Sequence, residues 1–275
     1  MDLNHIINHI RVKKSCLCVG LDPDLNRIPD HLLDGDDPVF EFNKSIIDAT
    51  SDLCVAYKPN LAFYEKLGPA GLVSLEKTIR YISDDHFIIA DAKRSDIFNS
   101  AKMYADTFYN YFNCDAVTLS PYMGFDAVKP FLKKGKWAIL LIATSNPSAS
   151  SIQNIITQSG SPLYLDILDN AAAWSNKENM MFVVGATRTK EMRKIRAKAP
   201  ENFFLIPGIG AQGGDLAAVF DAGFSKNCGL LINVSRSIIY AGEGLGKNFK
   251  DHVHQACLSM QQNMESLLKS RNFVV

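Results

Sequence analysis

Eight short runs of apolar, largely β-branched residues recur along the chain: Cys16–Asp22, Cys54–Asn60, Phe87–Lys93, Ala116–Pro121, Trp137–Ser145, Met181–Thr187, Phe203–Gly210 and Leu230–Arg236. Each is mostly continuous rather than alternating, as strands covered on both faces are. Between them lie stretches with helical periodicity. Asp36–Thr50 places Phe40, Ile46 and Ile47 on one side and Glu41, Lys44 and Asp48 on another. Ile97–Phe112 is a second such stretch, and Arg188–Ala199, with a Lys/Arg/Glu face, is a third. Ser95 or Asp96 stands where an N-cap for Ile97–Phe112 belongs.

Strand–helix alternation along a whole chain implies parallel strands joined by helical crossovers. Eight units in about 250 residues is the arithmetic of a (β/α)8 TIM barrel, with an open doubly wound sheet as the rival. There is no linker, low-complexity tract or repeat, so residues 1–275 read as a single domain. Ser145–Ser161, rich in Ser, Asn and Gln, reads as a long loop after the fifth strand. Loops of that length commonly cover a site.

Composition narrows the class. Of 275 residues, 47% are hydrophobic and 21% charged, which is globular. Lys plus Arg and Asp plus Glu are 29 each, and zero net charge argues against a general nucleic-acid binder. No apolar run approaches the roughly 18 residues of a membrane helix. Met1–Lys14 carries charges and histidines where a signal peptide has an apolar core. Cys16, Cys18, Cys54, Cys114, Cys228 and Cys257 show no zinc spacing. They read as free thiols packed as small hydrophobes, which places the protein in a reducing cytoplasm.

Polar residues collect at the C-terminal ends of the runs: Asp22, Lys58 and Asn60, Asp91 and Lys93, Ser145, Gly208 and Gly210, Ser235 and Arg236. The opposite ends are plain apolar, and barrel enzymes build their sites at the C-terminal strand ends. Within Asp91-Ala92-Lys93-Arg94-Ser95-Asp96, Asp91 and Lys93 are two apart on a strand and so share a face. Lys58 on the neighbouring strand completes a possible Lys58–Asp91–Lys93–Asp96 array, costly to bury without a function. A lysine flanked by carboxylates keeps its proton, which disfavours a Schiff base and favours a general acid or a cation beside a developing carbanion. The aspartates could instead hold Mg²⁺, although the ammonium among them repels a metal.

Pro207-Gly208-Ile209-Gly210-Ala211-Gln212-Gly213 follows a strand and precedes a helix. As a dinucleotide fingerprint it lacks the later acidic residue, but its glycine amides at a helix start suit a phosphate, as does the seventh-to-eighth strand position. Arg236 would supply a bidentate charge partner. The bland alternatives are a tight turn for the glycines and a surface ion pair for Arg236. His5 and His9 share a helix face without a third metal ligand and read as solvated.

Taken together, Asp91-x-Lys93-x-x-Asp96-Ile97 resembles the signature of the orotidine 5′-monophosphate decarboxylase family. Gly20-Leu21-Asp22-Pro23, Lys58-Pro59-Asn60, Ser145-Asn146-Pro147, the Pro207–Gly213 block and Asn233-Val234-Ser235-Arg236 resemble its other blocks, in the longer bacterial form. The resemblance implies a cofactor-free, metal-free decarboxylase that makes uridine monophosphate. It implies that Lys93 protonates C6 of the pyrimidine, that Asp91 sits against the leaving carboxylate, and that Lys58 bridges the aspartates and the ribose. Asp22 would bind a ribose hydroxyl. Ser145 and Gln212 would meet the base. Pro207, Gly208, Gly210, Gly213 and Ser235 would line the phosphate end, with Arg236 on the phosphate. Asp96, Ile97 and Ser100 would reach into a partner's site, so a homodimer is implied. Ser95 and Phe98 stand where the family more often has glycine. Two other readings of the same residues are a Mg²⁺-dependent sugar-phosphate lyase or synthase on the same barrel and a catalytically silent phosphoribosyl-binding module.

Overall fold

The computed structural model describes residues 1–210 and 213–275. Eight parallel strands close into a barrel: β1 (Leu17–Leu21), β2 (Ala56–Pro59), β3 (Phe87–Arg94), β4 (Ala116–Leu119), β5 (Trp137–Ala143), β6 (Met180–Val184), β7 (Phe204–Pro207) and β8 (Leu230–Val234). β8 returns to β1 with Leu17 opposite Ile232, which removes the sheet edges an open arrangement would leave. Every residue of β1, β2, β4, β6 and β8 is buried, because one side of each strand faces the barrel interior and the other faces helices.

The outer layer holds α1 (Leu3–Lys13), α2 (Pro38–Thr50), α3 (Gly68–Tyr81), α4 (Phe98–Asp106), α5 (Leu163–Trp174), α6 (Thr189–Lys198), α7 (Leu216–Gly223) and α8 (Phe249–Lys269). Between β4 and β5 the crossover is a short helix, Phe125–Val128, flanked by single 3₁₀ turns. Asp37 caps α2 by accepting from the Phe40 amide, with Pro38 in the first turn, where its missing N–H costs nothing. The apolar face of α2 is centred on Phe42 and Ile46, and Phe40 is only half-buried. Phe42 stacks on both Tyr240 and Phe249, anchoring α2 to the chain after β8.

Three local expectations fail. α4 starts at Phe98, with Ile97 as its N-cap and no side-chain cap bond. Asp96 Oδ1 instead accepts from the adjacent Ile97 amide at 2.7 Å, and the Ser95 hydroxyl is buried without a partner among the described residues. The expected helix to Phe112 also divides, because a π-helical turn over Thr107–Tyr111 takes over from α4. His9 is half-buried rather than on a solvated face, packing edge-on against buried His86 at the upstream end of the strands, while His5 is exposed as expected.

All six cysteines are free and buried. Among the described residues no helix is long and apolar enough to cross a membrane.

Candidate active site

A cleft of about 560 Å³ opens at the C-terminal ends of the strands. Asp22, Lys58, Asp91, Lys93, Ser145, Pro207, Gly208, Ser235 and Arg236, all expected from the sequence, line it. The charged centre is a three-member array. Lys58 Nζ donates to Asp91 Oδ2 and Lys93 Nζ donates to Asp91 Oδ1, each at 2.6 Å. The Lys58 side chain is 5% exposed and that of Asp91 11%, whereas Lys93 is 51% exposed toward the cleft. Burial works to raise the Asp91 carboxyl, but the Lys58 and then the Lys93 ammonium outweigh it and hold it well below its ordinary 3.8. Burial likewise works against the Lys58 ammonium, and Asp91 and then Asp22 overcome it and raise its pKa.

The fourth expected member stands apart. Asp96 does not line the cleft and makes no ion pair among the described residues. Ile97 and Ser100 do not line it either, and Ile97 is 64% exposed.

The Asp91–Lys93 pairing does not come from strand alternation alone. The β3–β4 register jumps from Ala90 opposite Val117 to Arg94 opposite Leu119, and within this bulge Lys93 has φ of 48°. Such left-handed backbone is unfavourable for a residue with a Cβ and persists only where its surroundings hold it. Ser95 and Phe98 are not in that conformation, so neither place requires a glycine's freedom.

The β1 and β8 ends meet because Gly20 has no side chain: a Cβ there would lie 2.7 Å from Ser235 Cβ. Beyond Gly20, the Tyr240 hydroxyl donates to the Asp22 carbonyl and accepts from the Asp24 amide, fixing the β1 exit. The buried Asp22 Oδ1 and Ser235 Oγ have no partner among the described residues. Two polar atoms left this way in a cleft are places for ligand hydrogen bonds.

At the glycine-rich end, Gly208, Gly210 and Gly213 have φ of 105°, 76° and 79°, which explains glycine at these three places. Gly210 and Gly213 do not line the cleft, and Gln212 lies outside the described residues. The helix that follows this loop is capped from within the chain. Asp215 Oδ1 accepts from the Ala217 and Ala218 amides, so the carboxylate occupies the N-terminus of α7. The anion-binding elements left at this end are the loop backbone and Arg236, which is exposed to the cleft and makes no ion pair among the described residues.

Sequence reasoning missed Thr118, Gly185 and Gln153. Thr118 Oγ1 donates to Asp91 Oδ1 at 3.0 Å and accepts from the Lys93 amide at 2.9 Å. A Cβ on Gly185 would lie 2.9 Å from Ser145, so that glycine lets Ser145 approach β6. Gln153 binds both the Thr144 amide and hydroxyl, folding the loop after β5 so that Ile152 and Gln153 border the cleft. A lone Thr in an apolar run reads only as a strand former, and a loop glutamine carries no signal of its own.

Fold and site define a (β/α)8 barrel enzyme whose centre is a lysine–aspartate–lysine array at the strand exits. The chain belongs to the orotidine 5′-phosphate decarboxylase / HUMPS family, whose profile matches residues 15–247. It is an enzyme of that decarboxylase kind. It is 48% identical over 274 residues to the orotidine 5′-phosphate decarboxylase of Bacteroides fragilis (strain YCH46), covering 98% of this chain and 99% of that one. The same identity holds over 278 residues with the protein of that name from Parabacteroides distasonis, covering 100% and 99%. Among solved structures, Leishmania donovani OMP decarboxylase superposes with a TM-score of 0.83 at 32% identity, covering 97% of this chain and 98% of the other.

Proposed function

We propose that this chain decarboxylates orotidine 5′-monophosphate to uridine 5′-monophosphate and CO₂, without metal or cofactor, as the last step of UMP synthesis. The observation that carries the reading is the buried Asp91 carboxylate holding the half-exposed Lys93 ammonium at the cleft wall. The bond from C6 to the carboxyl carbon breaks, CO₂ leaves, and the electron pair stays on C6 in an orbital that cannot spread into the ring. Lys93 Nζ gives its proton to C6, and water later restores the ammonium. Lys58 holds Asp91 and reaches toward the ribose, and Asp22 takes a ribose hydroxyl. Ser145, with Gln212, meets the base. Pro207, Gly208, Gly210, Gly213 and Ser235 shape the phosphate end, and Arg236 binds the phosphate.

Two unit charges about 4 Å apart interact by roughly 4 kcal/mol at an effective dielectric near 20. The slowest reactions require about 20 kcal/mol or more. Repulsion between Asp91 and the substrate carboxylate therefore cannot suffice. Stabilisation of the C6 anion by Lys93 and use of phosphate binding energy to organise the site supply the greater part.

Asp91 also speaks against the Mg²⁺-dependent alternative: both of its oxygens already accept from ammonium groups. Among the described residues no cluster of three His, Cys, Asp or Glu side chains could hold a metal. Asp96, Ile97 and Ser100 serve the site of a second copy in a homodimer. Their place outside this cleft, with apolar Ile97 and Phe98 exposed, supports that assignment. The six free thiols support a reducing cytoplasm.

Protein treated with EDTA is expected to consume orotidine monophosphate, followed by its ultraviolet absorbance. No turnover rejects the reading. A strict Mg²⁺ requirement favours the metal-dependent lyase, and nucleotide binding without product favours the silent module. In the same assay Arg236→Ala should mainly weaken substrate binding, raising KM about ten- to a hundredfold, the size of one charge-assisted hydrogen bond, with a smaller fall in kcat. An unchanged KM removes Arg236 from the phosphate site.

A further inference from the structure

The lysine proposed as proton donor sits on a backbone conformation that its own strand does not stabilise. Across the bulge, four steps along β3, from Ala90 to Arg94, correspond to two along β4, from Val117 to Leu119. Lys93 lies within this bulge, off the paired register, and its left-handed φ of 48° is unfavourable for a side chain with a Cβ. Its amide is satisfied by a side chain: it donates to Thr118 Oγ1 at 2.9 Å. The bulge closes one residue later, where the Ser120 amide donates to the Arg94 carbonyl.

A hydroxyl has one proton and two lone pairs. At Thr118 the proton goes to Asp91 Oδ1 and a lone pair takes the Lys93 amide, so a single oxygen touches both members of the reacting pair. The residue is 1% exposed, so water cannot replace the hydroxyl without repacking. Asp91 Oδ1 thus accepts from Lys93 Nζ and from Thr118 together, while Oδ2 accepts from Lys58.

We infer that Thr118 is a positioning residue for the decarboxylation: its hydroxyl fixes the left-handed Lys93 backbone and the Asp91 carboxylate as one unit, setting where the Lys93 ammonium points. This rests on the proposed reaction for its kinetic consequence but not for its structural one.

The test contrasts two substitutions. Thr118→Val keeps shape and loses the hydroxyl; Thr118→Ser keeps the hydroxyl and loses a methyl. Thr118→Val should lower kcat about ten- to a hundredfold, the effect of losing one hydrogen bond to a charged group, while KM stays nearly constant. Thr118→Ser should restore most of the rate. A role in packing alone reverses the order, with Ser the more damaging, and that result overturns the inference, as does wild-type kcat in Thr118→Val. If Thr118→Val does not fold, Thr118→Ala must show the same loss of kcat relative to Ser. An independent readout is the crystal structure of each variant: the left-handed Lys93 backbone and its contact with Asp91 should shift in Thr118→Val and stay in place in Thr118→Ser. If wild-type protein turns over no orotidine monophosphate, the proposed function fails, and the variant structures alone then decide: identical placement of Lys93 and Asp91 in the two variants overturns the role of Thr118.

Discussion

Lys93→Ala is expected to lower kcat by about five to seven orders of magnitude. An ammonium about 4 Å from the C6 carbanion contributes roughly 4 kcal/mol, near three decades of rate. Delivery of the proton by a positioned general acid adds about two to four decades. Lys58 does not replace it, being buried with its Nζ committed to Asp91 Oδ2. The substitution should leave the melting temperature close to that of the wild type, because the Lys93 side chain is half-exposed and Asp91 keeps its Lys58 partner. Loss of activity with the fold intact, measured on metal-free protein, is the result to look for. A variant within a hundredfold of wild type places the proton donor elsewhere.

Asp91→Ala acts on both stability and rate. It removes the carboxylate between two ammonium groups and leaves Lys58, 5% exposed, without its hydrogen-bond partner. Breaking a buried pair from one side costs about 3–5 kcal/mol, since the remaining charge loses its direct partner. For a chain of this size that is a fall in melting temperature of roughly 6–20 °C. The pH dependence of the difference has a definite sign. The folded Asp91 carboxyl lies below its ordinary 3.8, so its contribution is complete above that value and is lost as pH falls toward the folded one. The stability gap between wild type and Asp91→Ala should therefore be full at neutral pH and narrow below about pH 4. A gap that is absent at neutral pH, or that widens in acid, refutes the account of Asp91 as the clamp of the array. Turnover should also collapse, because the Lys93 ammonium loses its anchor at Asp91 Oδ1.

The sequence by itself determined the strands and the end of the barrel at which the chemistry sits. Continuous apolar runs located all eight strands, because strands buried on both faces must be apolar throughout. The polar residues ending those runs marked the cleft, since an ionisable group at a strand exit is costly to bury unless the site uses it. Local signals misjudged the interval after Lys93. Ser95 and Asp96 are good capping residues by type, but the chain leaving the bulge starts its helix at Phe98, where neither can reach the first amides. Asp215 shows the reverse case, a capping residue whose side chain does reach the Ala217 and Ala218 amides at the start of its helix.

Tertiary structure alone decided how the charges meet. Two residues apart on a strand implies a shared face, but the left-handed turn at Lys93 and the hydroxyl of Thr118 come from pairing with β4, about 25 residues further on. Closure of β8 on β1 depends on Gly20 lying against Ser235, a contact between residues 215 apart that no local pattern encodes. Periodicity and residue type report what each segment prefers. The position of one ammonium within a few tenths of an ångström depends on partners the chain brings in from elsewhere, and only the folded barrel specifies those.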